Sequence, residues 1–187
     1  MIGEGRWGRR PGRIGGECMR ASNQFADATA GVIYVHSSPA AVCPHIEWAL
    51  ADILDCRPDL AWTGQPASPG LLRTCVDWVG PVGTAARLAD VLRSWPMLRF
   101  EITENPSEGV DGERFSYVPR LGLWRGATSA NGDIVVGEMR LRALLSSASD
   151  VTSELHRALG TAWDEELEPY RSGDEGAQVT WLRRDVG

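Results

Sequence analysis

Two histidines and a cysteine flank one short turn in the stretch GVIYVHSSPAAVCPHIEWALADIL, residues 31–54. The stretch reads as a β-branched strand followed by an amphipathic helix that begins near Cys43. A cysteine near a helix N-terminus can have a lowered pKa and act as a nucleophile. His36 or His45 would then be its general base. This residue set therefore raises the hypothesis of an enzyme that uses Cys43 with His36 or His45.

The same turn also allows a ligand-binding and a purely structural interpretation. The hydroxyls of Ser37 and Ser38, with the backbone N–H groups at the helix start, could hold an anion. Alternatively His36 ends a strand, the serines cap turns and Cys43 is a small buried apolar residue. We favour the structural interpretation because no triad or oxyanion-hole pattern accompanies Cys43. The turn is nevertheless the first candidate for a ligand-binding or partner-binding site.

Neither a metal site nor a cofactor site is expected. The spacing H-x6-C-x-H at His36, Cys43 and His45 does not match a zinc pattern, and a fourth ligand would have to come from elsewhere. The sequence also lacks a phosphate-binding P-loop, a dinucleotide-binding glycine fingerprint, HExxH and GxSxG. We therefore expect a protein that is not an enzyme, while the Cys43 hypothesis stays open.

Two further stretches carry residue types suited to binding. Arg120, Trp124 and Arg125 lie beside a predicted turn, where they could form an aromatic and guanidinium surface; the alternative is a buried Trp124 with both arginines in solvent. The run WDEELEPY, residues 163–170, places four carboxylates near a helix end. It could face a basic partner, although a solvated acidic face is the usual meaning of such a run.

Composition restricts the class of protein. The 187 residues include 43% apolar residues, which suits a globular domain with a real core. The formal charge of −6 argues against non-specific nucleic-acid binding, and no run of about 18 apolar residues suggests a membrane span. The four cysteines form no C-x-x-C pair and no signal peptide is evident, so we expect reduced thiols in the cytoplasm. Eight tryptophans leave room for one or two at a binding surface.

The first 30 residues have no apolar periodicity and are expected to be a disordered leader. The codons of the glycine-glycine-glutamate stretch before Met19 can form a purine-rich ribosome-binding site. We therefore expect that translation naturally starts at Met19; the alternative is that residues 1–18 are a real, disordered basic tail.

Residues 31–106 show the element order β-α-β-β-α-β. Predicted strands cover GVIYVHS, DLAWTGQ, LLRTCVDWVG and MLRFEITEN, and predicted helices cover CPHIEWALADIL and GTAARLADVLRSW. This order is typical of a ferredoxin-like unit, an antiparallel sheet with two helices on one face.

Residues 107–187 are predicted to form an α+β extension packed on that unit. A β-hairpin turns at Asn131-Gly132, and Pro119 marks a strand break. A short helix EMRLRALLSS, a longer helix over residues 149–170 and a final strand QVTWLRR follow. The fold class is therefore α+β.

The sequence also resembles a known family. The blocks that carry the resemblance are VIYVHSSPAAVCPHIEWAL, the long stretch from LRTCVDWVG to EMRLRALL, ELHRALGTAWDEELEPYR and VTWLRR. They are similar to the DUF3145 family of uncharacterised actinobacterial proteins, from about Gly31 to the C-terminus. Members typically begin a few residues before the GVIYVHS equivalent, which agrees with a start at Met19. The resemblance implies an actinobacterial, cytoplasmic protein, and it brings no known activity or catalytic residue.

Three functions remain to be weighed. The first is a cytoplasmic accessory or regulatory protein that binds another protein, for example a metabolic enzyme assembly. The second is a small-ligand sensor, since paired units of this kind in ACT-like domains hold effectors at helix–strand ends; this is an analogy of fold alone. The third is the Cys43 enzyme.

Overall fold

The structure, a computed structural model, describes residues 28–147 and 150–171. In these residues seven strands form one antiparallel sheet, accompanied by five helices. The strands are β1 (Ala28–Pro39), β2 (Thr63–Gly64), β3 (Leu71–Pro81), β4 (Arg99–Glu104), β5 (Gly112–Val118), β6 (Gly122–Thr128) and β7 (Ile134–Val135). The helices are α1 (Cys43–Leu54), α2 (Thr84–Leu92), α3 (Glu138–Ser147), α4 (Val151–Leu159) and α5 (Thr161–Arg171). The strand order is β2-β3-β1-β4-β5-β6-β7.

The main core lies between one face of the sheet and helices α1 and α2. Side chains alternate between the two faces of a strand, so every second residue of β1, β3, β4 and β5 enters this core. Leu98, Phe100 and Ile102, which alternate along the predicted strand MLRFEITEN, are fully buried. Ile46 and Leu50 of α1 lie within the same core, as their helical spacing predicts. The predicted α+β class is therefore confirmed, and α1 has the predicted bounds.

Helices α4 and α5 belong to the C-terminal part, and α5 contacts β1 and β5. The Trp124 indole donates to the carbonyl of Arg157 at 3.0 Å, and the Trp163 indole donates to the carbonyl of Gly122 at 2.9 Å.

The prediction of one long helix over residues 149–170 is wrong. The helix breaks at Gly160, which has a φ of 77° and where an added Cβ would lie 2.7 Å from the Trp124 ring. Three helices therefore follow the hairpin instead of two.

Other boundaries also differ from the predictions. The predicted strand DLAWTGQ is reduced to the two-residue β2. The hairpin at Asn131-Gly132 is confirmed by the pairing of β6 with β7, although its loop spans five residues. Pro119 follows the last residue of β5, in agreement with the predicted strand break. The predicted leader, including Met19, and the predicted strand QVTWLRR lie outside the described residues.

Two further observations concern membrane-spanning helices and the oxidation state of the cysteines. No helix within residues 28–147 and 150–171 has the length and apolar character that a membrane span requires. Cys43 and Cys75 are free thiols, whereas Cys56 is disulfide-bonded. The expectation of reduced cysteines is therefore wrong for Cys56, and the cytoplasmic location stays a prediction.

Candidate functional site

The predicted turn after β1 does not form a single site, because its residues point in different directions. The pairing of β1 with β3 and β4 shifts register after Val35, as at a β-bulge. This shift changes the direction in which the following side chains point. His36 faces α5, whereas the Ser38 hydroxyl accepts a long hydrogen bond from the Cys43 thiol beside α1. His45 is exposed on the outer surface of α1.

His36 belongs to a buried ion cluster, which we call the Glu101 cluster and define as His36, Glu101, Arg114, Asp164 and Arg171. His36 Nε2 lies 2.7 Å from Glu101 Oε2. Arg171 Nε donates to the same oxygen at 2.8 Å, and Arg171 Nη2 donates to Asp164 Oδ1 at 2.7 Å. Arg114 Nε is 3.4 Å from Glu101 Oε1, and its Nη2 also donates to Asp164. The cluster therefore joins β1, β4 and β5 to α5.

Burial and charge act in opposite directions on Glu101. Burial alone would raise the pKa of its carboxyl, but the hydrogen bonds and charges of His36 and Arg171 outweigh it and hold that pKa well below its usual value. Burial likewise tends to lower the pKa of Arg171, and the carboxylates of Glu101 and Asp164 raise it instead. The ionised forms of Glu101 and Arg171 are thus stabilised by their partners in the cluster.

The cluster serves to hold α5 on the sheet. Its members Glu101, Arg114 and Arg171 are almost fully buried, and none of its five residues lines the cleft beside α5 that is described below. Gln65 adds to this attachment, since its amide donates to the carbonyls of His36 and Tyr170. The roles of Glu101 and Arg171 were not predicted from the sequence. The sequence feature that indicates them is a glutamate between two buried residues of β4, because a buried charge needs a partner.

Cys43 does not have the environment of a nucleophile. The residue is buried, and burial raises the pKa of its thiol, although the hydrogen bond with Ser38 opposes that shift. A helix start at Cys43 is present as predicted, yet the thiolate is not favoured. His36 has Glu101 as its partner on the α5 side of the sheet and is not placed to serve Cys43 as a base.

We expect Cys43 to react slowly with alkylating reagents in the native protein. A protonated and buried thiol has little thiolate and little access to the reagent, so its rate at pH 7–9 should fall below that of a cysteine in the unfolded chain. Alkylation with iodoacetamide followed by peptide mass mapping measures the rate at Cys43, and the urea-unfolded protein is the control. A native rate above the unfolded rate would contradict this and return Cys43 to consideration as a nucleophile.

His45 and Trp48 form a small exposed pair on α1. The two ring centroids are 5.3 Å apart in an edge-to-face arrangement, and Trp48 is 63% exposed. This agrees with the expectation that one of the eight tryptophans lies at the surface.

The predicted surface of Arg120, Trp124 and Arg125 is not assembled. Trp124 is buried toward α4 and α5, whereas Arg125, the next residue in the strand, points to the opposite face and pairs with Glu113. Arg120 is exposed and lies 3.8 Å from Glu166. The structure thus places these residues as the structural alternative describes, with a core tryptophan and solvent-exposed arginines.

The acidic run of residues 163–170 splits between two environments. Asp164 points inward to the Glu101 cluster, while the outward residues of α5 border an open cleft of about 410 Å³. The cleft lies between α5, the β2–β3 loop and the β5–β6 turn, and is lined by Ala67, Leu121, Ala162, Glu165, Glu166, Pro169 and Tyr170. The described part of the chain contains no group of three or more His, Cys, Asp or Glu residues that could hold a metal ion.

The described residues define a mixed α+β protein with one antiparallel sheet to which helix α5 is attached through buried ion pairs. A family model described as "Protein of unknown function (DUF3145)" matches residues 32–184, which is most of the chain. The chain therefore belongs to the DUF3145 family, as its sequence resemblance implied. Searches of curated proteins and of solved structures give no match.

Proposed function

We propose that this chain is a cytoplasmic accessory protein of an actinobacterium that binds another protein, such as a metabolic enzyme assembly, and modulates it. The observation that carries the proposal is helix α3, whose large apolar side chains face solvent. Met139 is 78% exposed and Leu145 is 73% exposed, and Leu141 on the same helix is also exposed.

A ten-residue helix gains little stability from apolar side chains that face water. Helices shorter than about 12–15 residues are marginal in water by themselves and depend on packing of an apolar face. Helix α3 contacts α4, but its apolar residues do not enter the core. An amphipathic helix that lays its apolar residues into a groove of another protein is a common recognition mode.

The two alternative functions receive less support. An ACT-like sensor would place its effector at a helix–strand end, but at the end of β1 the side chains of His36, Ser37 and Ser38 are buried. An enzyme based on Cys43 would need a reactive thiolate, and burial raises the pKa of that thiol.

We further propose that β1 to β4 with α1 and α2 form a ferredoxin-like unit. The order β2-β3-β1-β4, all antiparallel, and the shared core with both helices support this arrangement. In this interpretation β5 to β7 extend the sheet at the β4 edge, which brings α3 to the far side of the molecule from β2.

The proposal is tested by capture of partners from cells that express a tagged chromosomal copy. We expect a stoichiometric partner with the wild-type protein and a loss of that partner, by roughly tenfold or more, in the double variant Leu141→Ser/Leu145→Ser. Both side chains are exposed, so the variant should keep the wild-type thermal midpoint.

The matched control is Val82→Ser/Val110→Ser, which removes two apolar side chains, 37% and 45% exposed, in loops outside α3. This control should retain the partner. Equal capture by both double variants would contradict the docking role of α3, and no captured protein at all would contradict the accessory function.

A further inference from the structure

The cleft beside α5 combines an apolar floor with a negatively charged border. Leu121, Ala162 and Pro169 contribute apolar surface, while Glu165 and Glu166 contribute carboxylates. The Arg120 guanidinium lies 3.8 Å from Glu166, so these three side chains together carry one net negative charge. Leu121 is itself 41% exposed. A surface of this composition suits a segment that presents apolar side chains next to positive charges.

Helix α3 carries the complementary pattern. Leu141, Leu144 and Leu145 occupy positions i, i+3 and i+4 and therefore share one stripe of the helix. At 100° per residue, Arg140 and Arg142 fall on opposite sides of that stripe. The leucine stripe is thus flanked by a guanidinium group on each side, and the Arg142 guanidinium is also paired with Glu138 of the same helix.

We infer that the cleft of one copy of this chain receives α3 of a second copy. Within one copy the two surfaces do not meet, since Leu145 is 73% exposed. In the complex the leucine stripe would contact Leu121 and Pro169, and the flanking arginines would face the carboxylates of Glu165 and Glu166. The inference rests on the proposed docking role of α3 and names the receiving surface; a second copy and another protein would therefore compete for the same leucines.

This contact is reciprocal if the two copies are related by a twofold axis. Each copy has one α3 and one cleft, so a twofold dimer would contain the same contact twice. The entropy lost when two copies associate is then offset by two contacts instead of one. A mutation in either surface is present in both copies and therefore removes both contacts.

Charge reversal tests the inference on the purified full-length chain. We expect the wild-type protein to associate with increasing concentration in sedimentation velocity. One variant, Arg140→Glu/Arg142→Glu, makes α3 acidic, and the other, Glu165→Arg/Glu166→Arg, makes the cleft basic. Each variant alone then places like charges together, and its dissociation constant should rise roughly tenfold or more.

An equimolar mixture of the two variants should associate again. In that mixed pair an acidic α3 meets a basic cleft, and a basic α3 meets an acidic cleft, so both contacts regain complementary charge. Circular dichroism and thermal midpoints check that each variant is folded. Since all four residues are outside the core, we expect midpoints close to that of the wild-type chain.

The possible outcomes separate this inference from the proposed function. A wild-type chain that stays monomeric up to its highest soluble concentration overturns the inference, as does association that neither charge reversal weakens or that the mixture does not restore. If the monomeric chain still captures another protein through Leu141 and Leu145, the accessory function stands and only the inference fails. If the charge-swapped mixture associates but no other protein is captured, the inference stands and the accessory function fails.

Discussion

Replacement of Glu101 by glutamine is expected to lower the free energy of unfolding by about 3–5 kcal/mol, the usual cost of removing one partner from a buried ion pair. Glutamine has nearly the same shape but no charge, so Arg171 and Arg114 would share Asp164 as their only other carboxylate within the Glu101 cluster. The effect should exceed that of most single substitutions in this chain, because α5 depends on this cluster for its attachment. Urea unfolding followed by tryptophan fluorescence measures it.

The matched control for this prediction is Glu113→Gln on the neighbouring strand β5. Glu113 also pairs with an arginine, but its partner Arg125 is largely exposed. Solvent-exposed ion pairs contribute about 0–1 kcal/mol, so this variant should stay within that range of the wild type. Equal losses in the two glutamine variants would show that the Glu101 cluster is not a special contribution to stability.

The same carboxyl makes stability depend on pH in a defined direction. Because the pKa of Glu101 is lower in the folded protein than in the unfolded chain, the unfolded chain binds the proton more readily. Its contribution is therefore fully present above the unfolded pKa of about 4.3 and is lost as the pH falls below that value toward the folded pKa. The difference between the wild type and Glu101→Gln should shrink over that interval, and a difference that grows as the pH falls would contradict the assignment.

The attachment of α5 has a consequence for the surfaces proposed to bind partners. The cleft is built on α5 together with two loops, so its shape depends on Glu101 holding Arg171, which in turn binds Asp164. A substitution in the Glu101 cluster should therefore weaken association through the cleft as well as stability. A change confined to Glu165 and Glu166 should affect association alone.

Sequence patterns correctly predicted those helices and strands whose buried residues recur at a regular spacing within the element itself. The helix CPHIEWALADIL and the alternation of Leu98, Phe100 and Ile102 were predicted correctly because each pattern reports its own burial. The break at Gly160 was not predicted, since it depends on the approach of the Trp124 ring from β6. A glycine within a helical pattern gives no sign of such a neighbour.

The candidate site illustrates the same limit more strongly. His36 was selected from the sequence as a candidate binding residue, but its structural partner Glu101 lies 65 positions away, and Arg171 lies 70 positions beyond Glu101. Proximity in the sequence instead suggested Cys43, which is buried at the start of α1. The order of the strands in the sheet decides which distant charged residues meet. That order cannot be read directly from a single sequence.

Replacement of Gly31 by alanine is expected to lower the free energy of unfolding by about 3 kcal/mol, at the upper end of the cost of overfilling a packed core. Gly31 lies in β1 between β3 and β4, opposite Trp78 and Glu104. An added Cβ would stand 1.8 Å from the carbonyl oxygen of Thr103 and 2.7 Å from the fully buried Trp78 ring. The carbonyl belongs to the paired strand β4, so it cannot move away without a loss of sheet hydrogen bonds.

Gly64 in β2 offers the comparison that isolates this clash. An added Cβ there would meet no atom within 4 Å, so Gly64→Ala should change the free energy of unfolding by no more than about 0.5 kcal/mol. Both substitutions add one methyl group to a glycine in a strand of the same sheet, and only the first adds it against a neighbouring backbone. Urea unfolding of the two variants under the same conditions gives the difference. Similar stabilities would mean that β1 and β4 are farther apart at Gly31 than described, and the central pairing of the sheet would need revision.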